Sequence, residues 1–261
     1  MGTADHPFAF RCESVTSVFD ARGGAVTALD QVSFTVARHE FVCIVGPTGC
    51  GKTTLLRTIA GLIPPTSGRV AFGNPSIDGR SQASLVFQEH GLMPWLSVLD
   101  NVTLGLTSTA RDRRKRGMAW LDGVGLAAFA ERYPHELSMG MRQRVALARA
   151  LGSDRPVLLM DEPFGALDAQ TRLVLQQELV SVWKARQLAV VFVTHDIREA
   201  VTLGDRVLVL SGRPGRILED LEAPVGHQRE PFADRDPRLQ AIEQLIWSRL
   251  ESQVRRGLAL S

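Results

Sequence analysis

A chain of 261 residues, 44% hydrophobic and 22% charged, can bury a full core and needs one large domain, or one domain carrying a subdomain. Its formal net charge of +2 shows no clustered basic surplus of the kind that marks nucleic-acid binders, so no nucleic acid is expected as a partner. Three cysteines, Cys12, Cys43 and Cys50, are an odd set without metal-ligand spacing and read as free cytosolic thiols.

The start of the chain, MGTADHPFAFRCESV, has no basic segment followed by an apolar stretch of signal-peptide length, and no later run approaches the ~20 apolar residues of a membrane span. The expectation is a cytoplasmic protein that meets a membrane only through a partner. Short apolar strands then alternate with helical patterns. FVCIV (41–45), SLVF (84–87), VLLM (157–160), AVVFV (189–193) and RVLVL (206–210) have the length and β-branched content of buried strands in a largely parallel sheet. Helical patterns cover about residues 52–62, 170–185 and 197–203, so the order is α/β. Residues 89–152 break the alternation with helical patterns alone, SVLD (97–100) serving as a capping box, and read as an inserted helical subdomain. Within it RDRRKR (111–116) is the one charge block; it reads as a solvated helix face or loop ahead of an anionic-lipid or nucleic-acid site. Beyond Arg216, the residues Pro224, Gly226, Pro231 and Pro237 make an irregular linker, and LQAIEQLIWSRLESQV makes an amphipathic helix. The expected organisation is a domain over 1–222 with the helical insertion at about 89–152, then a linker and helix over 223–261.

GPTGCGKT, Gly46 to Thr53, fits G-x-x-x-x-G-K-[ST] in the context that gives the pattern meaning, directly after FVCIV and opening the helix KTTLLRTIAGL. Gly46, Gly49 and Gly51 let backbone N–H groups curl round phosphate oxygens, and the helix N-terminus adds partial positive charge. Lys52 reaches the outer phosphates, and the Thr53 hydroxyl can ligate magnesium. Pro47, Thr48, Cys50 and Thr54 complete the nucleotide-binding set. A glycine-rich turn that happens to precede a lysine would not explain strand, loop and helix together.

VLLMDEP runs a buried strand straight into Asp161 and Glu162, which places both acids at the carboxyl edge of the sheet with the phosphate loop. Asp161 is expected in the magnesium shell, and Glu162 is placed to accept a proton from an attacking water. ELSMGMRQRVALARAL (136–151) opens a further helix: Ser138 can cap it, and Val145, Leu147, Ala148 and Leu151 supply an apolar face. Met139, Gly140 and Met141 are left without a packing reason.

Along about residues 15–217, six stretches come in an order that resembles the ATP-binding subunits of ATP-binding-cassette (ABC) transporters. They are the phosphate loop, Gln88 after SLVF, LSMGMRQR, VLLMDEP, GALD (165–168) and His195 in VFVTHD. The resemblance implies a P-loop nucleotide-binding domain of the ABC ATPase type, working on ATP with Mg2+. It makes Gln88 a ligand of magnesium or water and a sensor of the membrane partner, His195 a contact to the γ-phosphate, and Phe19 the aromatic that stacks on adenine, with Val26 flanking the base. A polar strand end, a structural histidine and a core aromatic are the plain alternatives. The resemblance also supplies a purpose for LSMGMRQR: two cassettes pair head to tail, and Ser138 with the N–H of Gly140 faces the γ-phosphate of the partner's ATP. The usual signature is Leu-Ser-Gly-Gly-Gln; here Met139 replaces its first glycine and Met141 its glutamine, which bears on closure and turnover more than on ATP binding.

GLMPWLSVLDNVTLGL (91–106) and VTHDIREAVTLGDRVLVLSGRPGRI (193–217) resemble the importer subunits for nitrate, sulfonate, taurine and similar solutes. That implies a homodimer under two transmembrane permease subunits, a solute-binding protein as indirect partner, and a peripheral place on the cytoplasmic face of the inner membrane. Residues 88–99 would form the coupling surface, with Met93, Pro94 and Trp95 either holding a permease helix or packing locally. A soluble ABC ATPase of DNA repair or translation is the alternative; the single cassette and the lack of a coiled coil between Lys52 and Ser138 count against it.

Overall fold

The computed structural model describes residues 8–21, 24–74, 81–89, 91–106, 109–165, 167–223 and 236–258. The chain opens with β1 (Phe8–Ala21) and β2 (Gly24–Ala37), an antiparallel hairpin. β3 (Phe41–Val45) leads through the glycine loop into α1 (Lys52–Ile59), and β4 (Ser67–Phe72) returns to pair with β1. β5 (Ala83–Val86) precedes three helices, α2 (Val98–Thr103), α3 (Ala110–Gly123) and α4 (Met139–Gly152). Strand and helix then alternate through β6 (Val157–Asp161), α5 (Ala169–Arg186), β7 (Ala189–Val193), α6 (Ile197–Leu203) and β8 (Arg206–Leu210), before β9 (Ile217–Glu222) and α7 (Pro237–Leu258).

Two sheets result. One is antiparallel, in the order β2-β1-β4; the other has the order β5-β6-β7-β3-β8-β9 and is parallel except where β9 pairs with β8. The larger sheet is covered on both faces, which is why its central strands are apolar without interruption. Phe41, Cys43 and Val45 pack with Leu147 of α4, Leu179 of α5, Val201 of α6 and Ile246 of α7. Val42 and Ile44 pack on the opposite face with Leu55 of α1 and with Phe10 and Leu29 of the hairpin. Each such side chain, once fully buried, contributes about 1.5–3 kcal/mol.

Among the described residues, 91–152 carry helices and no strand, around a separate cluster that includes Val98, Val102, Leu121 and Val145. The apolar stripe of α4 is shared: Val145 and Ala148 face this cluster, whereas Leu147 and Leu151 face the sheet. Ser97 caps α2, its hydroxyl accepting from Asp100 N at 3.1 Å. RDRRKR lies on α3, where Arg114 pairs with Glu131 at 2.7 Å and Arg116 with Asp154.

Several expectations shift. The helix expected over 52–62 ends at Ile59, because Gly61 turns left-handed (φ 74°). Pro237 opens α7 instead of belonging to a linker: its missing N–H costs nothing at a first helical position, and the Asp236 carboxylate accepts from Arg238 N at 2.9 Å. Pro224, Gly226 and Pro231 lie outside the described residues. Cys12, Cys43 and Cys50 are buried free thiols. No helix among the described residues is long and apolar enough to cross a membrane.

Candidate nucleotide site

The glycine loop gets its shape from close approaches that only glycine allows. Gly51, the residue before α1, has φ 105°, and a Cβ there would lie 2.8 Å from the Ala28 carbonyl oxygen and 2.9 Å from Leu29 Cδ2. Gly49 is also left-handed (φ 75°), and a Cβ on Gly46 would meet Cys50 Sγ at 2.9 Å. Lys52 is buried, and its ammonium donates to the carbonyls of Gly46 (2.8 Å) and Pro47 (3.0 Å), so the lysine braces the loop from inside. Pro47 is half-buried, Thr48 and Gly49 are exposed, and Cys50 is buried with its thiol pushed up by burial. Thr53 and Thr54 stand half-buried in the first turn of α1, whose unpaired amides and dipole suit an anion.

Parallel pairing carries the second half of the site to the same edge. β5, β6, β7 and β3 run alongside one another, with Val86 opposite Met160, Asp161 opposite Val193 and Ile44 opposite Val193. Asp161 is buried, with the Thr53 hydroxyl close enough to lower its pKa. Its pKa is raised, first by burial and further by Glu162, against the pull of Thr53, Arg57 and Lys52. Thr53 and Asp161 offer oxygen donors of the kind Mg2+ accepts when phosphates and water complete its shell. No cluster of three or more His, Cys, Asp or Glu side chains among the described residues offers a self-sufficient cage.

Glu162 follows with φ 45°, a left-handed conformation that costs a non-glycine residue about 1–3 kcal/mol. It is held by a bond from its N–H to the Val193 carbonyl (3.0 Å) and by Gly165 N–H donating to its own carbonyl (3.2 Å). The turn brings Glu162 Oε2 to 3.1 Å from His195 Nδ1. Gly165 floors the pair: a Cβ there would lie 3.6 Å from the imidazole Cε1. Gln88 is exposed in the turn after β5, two residues past the strand end.

Phe19 and Val26 are cross-strand partners in the hairpin. Phe19 is 38% exposed, which removes the core-aromatic alternative; Val26 is half-buried, two residues before the Ala28 that packs on Gly51. Ser138 caps α4, its hydroxyl accepting from Met141 N at 3.3 Å, so its side chain engages its own helix and not the phosphate loop. Gly140 packs on α5, where a Cβ would sit 3.2 Å from Thr171 Cγ2. Met139 is 40% exposed in the first turn. One residue that no motif marks also touches the site: Arg213 Nε donates to the Gly49 carbonyl at 3.3 Å.

The sequence profile of the ABC transporter family matches residues 29–165. The taurine import ATP-binding protein of Rhizobium johnstonii is 49% identical over 210 residues, 77% of this chain and 78% of that protein. The aliphatic sulfonates import ATP-binding protein of Mesorhizobium japonicum is 48% identical over 212 residues (80% and 79%). The nitrate import ATP-binding protein of a Synechocystis strain is 46% identical over 208 residues (78% of each). Among solved structures, the dimeric bacterial ABC transporter cassette MJ0796 superposes with a TM-score of 0.73 at 33% identity, covering 82% of this chain and 98% of that one. Its post-hydrolysis state bound to ADP and Pi gives 0.72 at 32% identity. The glycine loop, the paired acids and the histidine beside them thus stand in a known setting: the chain belongs to the ABC transporter family, as one of its ATP-binding, ATP-hydrolysing subunits.

Proposed function

We propose that this chain powers an importer for a small solute of the nitrate, sulfonate or taurine type, as a homodimer bound beneath two transmembrane permease subunits on the cytoplasmic face of the membrane. A solute-binding protein would deliver cargo to the permease without touching this chain. The observation that carries the reading is identity of 46–49% to import ATP-binding proteins. No observation favours a DNA-repair or translation ATPase.

In this reading residues 46–54 hold the ATP phosphates, with Phe19 stacked on adenine and Val26 at its edge. Thr53, Asp161 and Gln88 would hold Mg2+, which neutralises charge on the transferring phosphoryl group. Glu162 accepts the proton of the attacking water, and His195 orients that carboxylate and contacts the γ-phosphate. Ser138 and the N–H of Gly140 act on the ATP of the partner subunit. Closure around two ATP molecules and reopening after hydrolysis would drive the permease. The exposure of Trp95, at 71%, supports residues 93–95 as part of the permease contact.

The test is co-expression with the permease subunits of an importer of this type, followed by isolation from detergent extract through a tag on this chain. Co-purified permease and ATPase activity that responds to solute-loaded binding protein are the expected results. Nucleic acid or ribosomes in place of a permease would overturn the assignment.

A further inference from the structure

The turn between β8 and β9 lies against the phosphate loop, and nothing in the ATP-site assignment accounts for it. Arg213 Nε donates to the Gly49 carbonyl at 3.3 Å. The N–H of the same peptide unit, on Cys50, donates to the Pro47 carbonyl at 3.3 Å. The Gly49–Cys50 peptide plane is therefore gripped at both ends, from inside the loop and from outside it.

The turn that carries Arg213 is itself fixed. Gly215 N–H donates to the Ala28 carbonyl (2.9 Å), and the Gly215 carbonyl accepts from Asp30 N–H (3.0 Å). Ser211 Oγ donates to the Pro214 carbonyl (2.8 Å) and accepts from Arg216 N–H (2.9 Å), while Arg216 pairs with Asp30. From α7, Gln253 Oε1 accepts from Gly212 N–H at 3.3 Å. Turn and loop are in close contact, since a Cβ on Gly215 would stand 2.3 Å from the Cys50 carbonyl oxygen. A rigid turn thus delivers an exposed cation to the midpoint of the loop.

We propose that Arg213 is a positioning residue for ATP. It fixes the Gly49–Cys50 peptide so that the amide cradle is set before nucleotide enters, and it adds positive charge where the phosphates bind. This rests on residues 46–53 being the nucleotide loop.

The test titrates the purified full-length chain with a fluorescent ATP analogue and measures steady-state ATPase for Arg213→Ala and Arg213→Lys, with Lys52→Ala as reference for the loop. Arg213→Ala should raise the Kd and KM for ATP about three- to tenfold, the loss of one charge-assisted hydrogen bond at an exposed site, with a smaller change in kcat. Arg213→Lys keeps a donor and the charge and should recover most of the affinity. Unchanged Kd and KM in Arg213→Ala, while Lys52→Ala loses binding, would overturn the proposal alone. Equal loss in both Arg213 variants with a lowered melting temperature would overturn it too, by assigning Arg213 to the stability of the turn. Normal binding by Lys52→Ala would bring down the loop assignment and the proposal with it.

Discussion

Nδ1 of His195 lies 3.1 Å from Oε2 of Glu162, although the two residues are 33 positions apart. Sheet pairing produces the contact. β6 and β7 are parallel neighbours in a register that sets Asp161 opposite Val193, so the residues that leave the two strand ends emerge side by side. The left-handed backbone of Glu162 then turns its carboxylate toward the histidine. A carboxylate held beside an imidazole, next to a glycine loop at a helix N-terminus, has the groups that the proposed activation of water at a terminal phosphate requires.

Glu162→Gln should lower ATP turnover by about 10²–10⁴-fold, the range general-base catalysis supplies, while leaving nucleotide affinity intact and accumulating an ATP-dependent dimer. Lys52→Ala should instead weaken binding, since the proposed assignment sets its charge against the outer phosphates in the ground state. Nucleotide titration beside single-turnover hydrolysis separates the two. Near-normal turnover in Glu162→Gln would remove that residue from the role.

Asp161 gives a prediction about pH. Burial raises its pKa, so the folded state holds the proton more tightly than the unfolded chain does. The contribution of such an acid to stability is full below the ordinary carboxylate range and is lost as pH rises through the raised folded value. Asp161→Asn removes the titration and keeps a side chain of the same shape beside Thr53. Without nucleotide, the melting temperature of the variant relative to the unmodified chain should therefore climb as pH rises from about 4, the ordinary carboxylate range, through the raised folded value. A flat or falling difference would mean that the buried charge carries no such penalty.

What could be read from the residues alone follows from where each signal lies. FVCIV, AVVFV and RVLVL coincide with β3, β7 and β8 to the residue, because strands covered on both faces are apolar throughout. β1 was invisible to that criterion: buried Phe10, Cys12 and Val15 are interleaved with exposed Arg11 and Ser14, and a register shift at Ser14 breaks even the alternation. β9 is an edge strand with no fully buried side chain. In the site, the glycine loop and the Asp161-Glu162 pair are local patterns and were legible. The Glu162–His195 contact needs the strand order, and the Arg213–Gly49 bond joins segments 164 positions apart with no local trace.

Asn101 and Trp95 should separate stability from coupling in the 93–97 loop. Asn101 is fully buried; its Nδ2 donates to the carbonyls of Met93 (3.1 Å), Leu96 (3.1 Å) and Ser97 (3.0 Å), and its Oδ1 accepts from Met93 N (2.8 Å). The Met93 and Ser97 carbonyls also accept from Leu96 N (3.1 Å) and Asn101 N (2.9 Å), so Asn101→Ala takes its bonds from the Met93 N–H and the Leu96 carbonyl and should cost about 1–3 kcal/mol by denaturant unfolding. Trp95 is 71% exposed, so Trp95→Ala should keep the unfolding midpoint and lose permease in co-purification. Permease retained by Trp95→Ala would place the contact elsewhere.

The signature loop provides the sharpest test of trans action. Ser138 caps its own helix and stands apart from its own phosphate loop in the hydrogen bonding, as a group that serves a partner's nucleotide would. Lys52→Ala spoils a subunit's own loop, and Ser138→Arg puts a bulky side chain where the partner's γ-phosphate should sit; each homodimer should be inactive. In a mixed dimer, trans action places both faults in one site and none in the other, so one intact site returns. If Ser138 served its own subunit, each site would carry one fault and nothing would return. One intact site need not sustain full cycling, so trapping of a single ATP per mixed dimer is measured beside turnover. Absence of both, in mixed dimers shown to form from folded subunits, would rule out the trans assignment.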